Sequence, residues 1–150
     1  MRILFFTIFI LFISNNIKAQ NDTIAINQAI TQLFDGMRTS DSNLVKSVFH
    51  TEATLQTVIT TKTGETKLFN EQISEFAKAV GTPHDGVWNE KITKIHIQID
   101  GALAHAWTHY EFFVDDKFIH CGVNSFQLMK TNNEWKIISI VDTRRTTNCN

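Results

Sequence analysis

Four consecutive strand patterns in the second half of the chain constrain its fold more than any other feature. Segments of alternating or β-branched residues are separated by short polar stretches at Asp100-Gly101, Asp115-Asp116 and Thr131–Glu134. Strands joined by such short turns pair with their sequence neighbours as antiparallel hairpins. The four predicted strands span residues 91–99, 102–114, 117–130 and 135–143. The sequence therefore predicts an antiparallel meander.

The first half of the chain predicts helices. An apolar stripe with spacings of three and four residues is formed by Ile26, Ala29, Ile30, Leu33, Phe34 and Met37. This period is typical of an amphipathic helix, and Asp22 or Thr23 is the expected N-cap. A second, short helix should follow, with Asp41 or Ser42 as its cap and Leu44 and Val45 on its inner side.

One strand and one more helix are predicted before the meander. Residues from Ala53 to Thr61 are rich in Thr, Val and Ile, which favour strands. Asn70 is the expected cap of a third helix that ends at Gly81. Separate helices and an antiparallel sheet indicate the α+β class, with a curved antiparallel sheet packed on three helices from the N-terminal half. A cavity between sheet and helices would suit a small hydrophobic or aromatic molecule.

The N-terminus has the layout of a secretory signal peptide. A positive start at Met1-Arg2 is followed by an apolar run from Ile3 to Ile13 and a polar stretch that ends at Ala19. The apolar run is shorter than the ~20 residues that span a bilayer. The sequence therefore predicts a signal peptide over residues 1–19 and one domain over residues 20–150. It also predicts export to the periplasm or the cell exterior, with no membrane attachment after cleavage.

The charge of the predicted mature domain argues against nucleic acid as a partner. Removing residues 1–19 takes away two of the 14 basic residues and none of the 15 acidic residues. The remaining domain is mildly acidic and has no basic stripe. Proteins that bind nucleic acid need such a stripe to neutralise phosphates.

The two cysteines leave two alternatives open. Export would permit a disulfide between Cys121 and Cys149. No local spacing supports a bridge, however, which favours a buried thiol and a separate thiol in the tail. Neither the cysteines nor the histidines show the spacing of a metal site, because His105 and His109 lie ~13 Å apart on one strand. No metal and no cofactor are predicted.

Three segments carry a resemblance to a known superfamily. They are Trp107, His120–Asn124 and Glu134–Ile137. With them the chain resembles the nuclear transport factor 2-like superfamily, and within it exported bacterial proteins related to SnoaL-like polyketide cyclases and to proteins described as "putative lumazine-binding". The resemblance implies a cone-like half barrel with a pocket between sheet and helices, and a homodimer formed through the sheet. Members include isomerases, dehydratases and cyclases, which implies a cofactor-free acid–base enzyme as one reading.

The turn at Asp115-Asp116 predicts the candidate catalytic pair. If these two residues form the turn, Glu111 lies opposite His120, and opposite side chains are close enough for a hydrogen bond. A carboxylate beside an imidazole orients the ring and suits it to general acid–base chemistry. Trp107, His109 and Asn124 would share that face and bind the ligand. A slip of one residue in the turn would separate the group.

Other interpretations of these residues remain open. The Glu111–His120 pair would also fit an inert surface ion pair, and the same face would fit a dimer interface. Three further residues are expected at the ligand pocket, namely His50, Trp88 and Asp142. The alternative function is a non-catalytic interaction or dimerisation module whose cavity is filled by side chains.

Overall fold

A computed structural model describes residues 3–61 and 63–149, with the backbone alone for residues 3–19. The predicted signal peptide therefore begins outside the described residues, and its described part forms the start of the first helix. The helices are α1 (Ile3–Arg38), α2 (Ser42–Ser47) and α3 (Ile73–Gly81). The strands are β1 (Phe49–Thr60), β2 (Thr66–Glu71), β3 (Trp88–Asp100), β4 (Leu103–Val114), β5 (Lys117–Thr131) and β6 (Glu134–Thr143). Within the described part of the chain, no helix has the length and apolar character needed to cross a bilayer.

The strands form one six-stranded sheet in the order β2-β1-β6-β5-β4-β3. Every neighbouring pair is antiparallel except β1 and β6, which run parallel. The sheet is curved and unclosed, with β2 and β3 at its edges. The predicted α+β class and the meander from β3 to β6 are confirmed.

The helices cover the inner face of the sheet. Ile26, Ile30 and Leu33 of α1 are buried in one core with Phe126 and Leu128 of β5. Complete burial of each such side chain stabilises the fold by about 1.5–3 kcal/mol. The apolar stripe predicted from the sequence is therefore the core face of α1.

The caps of the two shorter helices differ in how well they were predicted. Asp41 caps α2 as expected, because its carboxylate accepts hydrogen bonds from the amides of Asn43 and Leu44 at 2.9 Å. The cap predicted for α3 is wrong: Asn70 lies in β2, and Gln72 precedes α3 instead. All six residues of β2 are exposed, so this strand lacks the alternation that would have revealed it.

The predicted start of α1 is also wrong. Asp22 lies inside the helix, where its carboxylate pairs with the ammonium group of Lys130. It also accepts a hydrogen bond from the indole nitrogen of Trp135 at 3.1 Å. These contacts to β5 and β6 satisfy a buried carboxylate without a cap.

A β-bulge corrects the predicted register of the β4–β5 hairpin. Val114 pairs with Lys117 as the turn predicted, but Phe112 pairs with His120, which leaves Ile119 as an extra residue. Glu111 therefore lies opposite Cys121 and on the other face of the sheet from His120. The predicted Glu111–His120 pair is wrong, because one extra residue reverses the face of every side chain beyond it.

The two cysteines are joined. Cys121 in β5 forms a disulfide with Cys149 in the tail, with their Cα atoms 5.8 Å apart. The expectation of two separate thiols is therefore wrong. The reason is that the tail folds back along β5, a long-range contact that no local spacing reveals.

Candidate functional site

A cavity of about 410 Å³ lies between the helices and the inner face of the sheet. Its walls are mostly apolar and include the aromatic side chains of Phe34, Phe76, Trp88, Phe112 and Phe126. A concave, mostly apolar cavity with a few polar groups is the usual form of a small-molecule site. Here the polar groups gather at one end, where β3, β4, β5 and β6 meet.

Asp142 of β6 is at the centre of the polar end. Its buried carboxylate accepts a hydrogen bond from the hydroxyl of Thr57 and another from Nε of Arg144 at 2.9 Å. The guanidinium of Arg144 also donates to the Thr57 hydroxyl at 3.2 Å. A buried carboxylate needs such partners, and the cation balances its charge locally.

The side chain of Tyr110 in β4 extends over Gly122 of β5 to the polar end of the cavity. Its hydroxyl donates to the carbonyl oxygen of Thr143 at 2.9 Å and lies 3.4 Å from Oδ2 of Asp142. Tyr110 pairs with Gly122, whose missing side chain leaves room for the phenol ring. Burial raises the pKa of Tyr110, and the negative charges of Glu90 and Asp142 raise it further, so the phenol keeps its proton.

Glu90 of β3 supplies a carboxyl group beside this cluster. Its Oε1 accepts a hydrogen bond from the amide of Asn124 at 2.7 Å, and that amide also lies 3.3 Å from the hydroxyl of Thr108. Burial raises the pKa of Glu90 to about 8, although the hydrogen bond from Asn124 opposes the rise. Glu90 is therefore mostly protonated at neutral pH and can donate a proton.

His120 of β5 lines the cavity, and its ring makes T-shaped contacts with the rings of Tyr110 and Phe112. Its ring centroid lies 5.7 Å from that of Tyr110 and 5.1 Å from that of Phe112. Its buried Nδ1 has no hydrogen-bond partner among the described residues. Burial lowers the pKa of His120, and the positive charge of Arg144 lowers it further. The lowered pKa favours the neutral imidazole, which is the form that can accept a proton.

The structure brings together half of the predicted site residues. His120, Asn124, Trp88 and Asp142 line the cavity. The others, which are Glu111, Trp107, His109 and His50, are not among its lining residues.

Side-chain direction explains the exclusion of the three β4 residues, and position along β1 that of His50. Trp107 and His109 share the outer face with Glu111, because they alternate with the buried residues Thr108 and Tyr110. His50 lies near the start of β1, where its Nδ1 accepts a hydrogen bond from the amide of Glu52 at 3.3 Å.

Sequence reasoning missed Glu90 and Tyr110 as site residues, whereas the shared strand parity of Asp142 and Arg144 favours their pairing, which the structure shows at 2.9 Å. A usable signal for Tyr110 existed in β4, where residues 104, 106, 108, 110 and 112 are less polar than residues 105, 107, 109 and 111. The less polar set of an alternating strand is expected to face the core. Applying that rule would have turned Tyr110 inward and Glu111 outward.

No three His, Cys, Asp or Glu side chains of the described residues come together as a metal site requires. The polar end offers hydrogen-bond donors and two titratable groups, Glu90 and His120, whose neutral forms are favoured by burial. Such groups beside apolar walls suit a small-molecule site, and their chemistry would suit proton transfer.

Comparison with known proteins places this geometry in context. The model of a family described as "Putative lumazine-binding" matches residues 21–141. No curated protein sequence matches the chain.

Solved structures with the same fold are numerous but distant in sequence. A nuclear transport factor 2-like protein with a cystatin-like fold from Novosphingobium aromaticivorans is 11% identical, with a TM-score of 0.72 over 91% of this chain and 90% of that one. A protein named as a putative scytalone dehydratase from the same species is 10% identical, with a TM-score of 0.70 over 85% and 87%. A protein named as a putative dehydratase from Streptomyces avermitilis is 13% identical, with a TM-score of 0.67 over 86% and 99%. At these identities the likeness shows the fold alone.

Proposed function

Because this chain belongs to the family described as "Putative lumazine-binding" and has the nuclear transport factor 2-like fold, we propose that it binds a small aromatic molecule in the cavity and catalyses proton transfer on it without a cofactor. The observation that carries this proposal is the carboxyl group of Glu90 in the wall of a cavity with aromatic side chains, where burial raises its pKa to about 8. Carboxyl groups with a pKa raised by burial are typical of general acids.

At neutral pH the protonation states of His120 and Glu90 would suit them to act as a base and an acid. Neutral His120 can accept a proton from carbon, while protonated Glu90 can donate one to a leaving hydroxyl group, which departs as water. Such a reaction is a dehydration, the activity in the names of two structures of the same fold. Tyr110 and Asn124 would orient the ligand beside these two groups.

The charges in the cavity argue against an anionic ligand. The cation of the lining, Arg144, is already paired with Asp142, and Glu71 adds a carboxylate. An anionic ligand would lose its hydration without gaining an unpaired counter-ion. The aromatic walls add offset or edge contacts that a planar ring satisfies.

The alternative of a filled interaction module is less well supported. It requires Trp and Phe side chains to occupy the cavity, whereas about 410 Å³ remains open. The homodimer through the sheet remains a prediction. Trp107 and Leu103, which lie on the outer face and are 44% and 49% exposed, would be its natural contacts.

Ligand binding is tested with purified protein and one substitution at the cavity wall. Native mass spectrometry should detect a co-purifying small molecule, and lumazine is the first probe for titration by tryptophan fluorescence. Replacing His120 with alanine should weaken binding about tenfold or more, since one lost hydrogen bond in a buried site costs on the order of 1.4 kcal/mol. The matched control, Glu111→Ala on the outer face, should leave the dissociation constant unchanged. Equal effects of the two substitutions would refute binding at this cavity.

Export is the second part of the proposal. The disulfide between Cys121 and Cys149 supports it, because disulfides persist in oxidising compartments outside the cytoplasm. Sequencing the N-terminus of protein recovered from the periplasm or medium should give Gln20 as the first residue. Recovery of only the full chain from the cytoplasm, with both thiols reduced, would contradict export.

A further inference from the structure

The chain after β6 folds back onto Cys121 of β5, one of the two residues of the disulfide. The amide of Arg145 donates to the carbonyl of Cys121 at 2.9 Å, and the amide of Cys121 donates to the carbonyl of Arg145 at 2.8 Å. Four residues later, Cys149 is bonded covalently to Cys121. The segment from Arg145 to Cys149, here called the tail, is thus attached to β5 at both of its ends.

The residues just before the tail complete the polar end of the cavity. Thr143 supplies the carbonyl that accepts the hydrogen bond of Tyr110. Arg144 supplies the guanidinium that binds Asp142 and Thr57. Thr143 is the last residue of β6 and is held there by its pairing with Val58 of β1. Arg144 lies between β6 and Arg145, so the path of the tail affects where its guanidinium stands.

Few other contacts hold the tail in place. Arg145 forms backbone hydrogen bonds with Cys121. A further hydrogen bond, from the side chain of Arg145 to the carbonyl of Asn148 at 3.1 Å, lies within the tail itself. Residues 146–148 are exposed. A terminal segment with so little burial frays unless it is tied to the fold.

We propose that Cys121 and Cys149 are positioning residues of the cavity, whose disulfide holds Arg144 against Asp142. Reduction by a dithiol transfers two electrons and two protons to the bridge, which leaves two protein thiols and the oxidised cyclic reductant. The freed tail then draws Arg144 away and opens the polar end of the cavity to water. The importance of this device for a ligand rests on the proposed function, but the change in the wall is measurable without a ligand.

His120 reports the opening of the wall. Burial and the nearby charge of Arg144 both lower its pKa, whereas Asp142 acts in the opposite direction and stays in β6. Release of the tail admits water and removes Arg144. Both changes raise the pKa of His120 towards its ordinary value.

The experiment is an NMR titration of the His120 imidazole, assigned by its absence from His120→Gln, in oxidised and dithiol-reduced protein and in Cys149→Ser. The titration midpoint should be higher by about half a pH unit or more in the two forms without the bridge. Reoxidation of the natural protein should restore the original midpoint. Ile137→Val is the control, because it loosens the buried core of β6 at a site outside the cavity lining and should leave the midpoint unchanged.

Either of two results would overturn the inference: an identical midpoint in folded oxidised and folded reduced protein, or an equal shift in Ile137→Val. If the bridge-free forms unfold, insertion of two glycines between Thr146 and Thr147 slackens the tail while the disulfide stays intact. That variant should also show a raised midpoint, and an unchanged one would equally reject a positioning role.

Discussion

Replacing Gly122 with alanine should lower the free energy of unfolding by about 3 kcal/mol and disorder the polar end of the cavity. A Cβ atom at this position would lie 1.8 Å from the carbonyl oxygen of Thr143 and 2.8 Å from Cε1 of Tyr110. The first contact is with backbone, so it cannot be relieved by rotation of a side chain. The carbonyl must move, and the hydrogen bond that it accepts from Tyr110 is lost with it.

Urea denaturation measures the loss of stability, and the resonances of the single tyrosine show whether its ring has moved. The matched control is Gly64→Ala, where the added methyl group meets open space. Its cost should be limited to about 1 kcal/mol, because Gly64 has a φ of +83° that alanine adopts only with strain. A Gly122→Ala protein as stable as the control, with the tyrosine resonances unchanged, would show that the close approach at Gly122 is not structurally required.

The parts of the fold that follow from local pattern were predictable from the sequence. The apolar stripe of α1, the Asp41 cap of α2 and the turn at Asp115-Asp116 depend on residues near one another in the chain. Each therefore leaves a local signature of period, cap or turn chemistry. The α+β class follows from the order of such signatures.

The register of β4 and β5 depends on one residue that leaves no such signature. The bulge at Ile119 interrupts a strand of otherwise ordinary composition, and it reverses the direction of His120 relative to the turn. The disulfide is a similar case, because it joins residues 28 positions apart. Both features are decided by three-dimensional packing, which explains why the predicted pairing of Glu111 with His120 failed.

Glu90 escaped prediction for a different reason. It lies near the beginning of β3, just before the strand that the sequence predicts over residues 91–99, and carboxylates outside regular alternation are usually exposed. Its place beside Asn124 and Tyr110 becomes visible only when the sheet brings together strands that are distant in sequence. The chemistry of the cavity is thus a property of the assembled sheet.

Glu90→Gln should make the protein more stable than the natural chain at pH 8 by several kcal/mol. The pKa of Glu90 is raised from 4.5 to about 8 in the folded protein. Between those values the folded state keeps a proton that the unfolded state releases, so the stability of the natural chain falls as pH rises through this window. The fall is on the order of 4 to 5 kcal/mol, since each pKa unit corresponds to about 1.4 kcal/mol. Glutamine does not titrate, and its carbonyl retains an acceptor for Asn124.

Urea denaturation of both proteins at a series of pH values from 4.5 to 9 tests this prediction. The two stabilities should converge near pH 4.5 and diverge up to pH 8, above which the difference becomes constant. Glu52→Gln makes the same atomic change at an exposed position and should show no comparable divergence, because an exposed carboxylate contributes little to stability. A difference between Glu90→Gln and the natural chain that did not vary with pH would mean that Glu90 is already ionised in the folded protein. Glu90 would then be unable to act as the general acid, and the proposed dehydration would lose its proton donor.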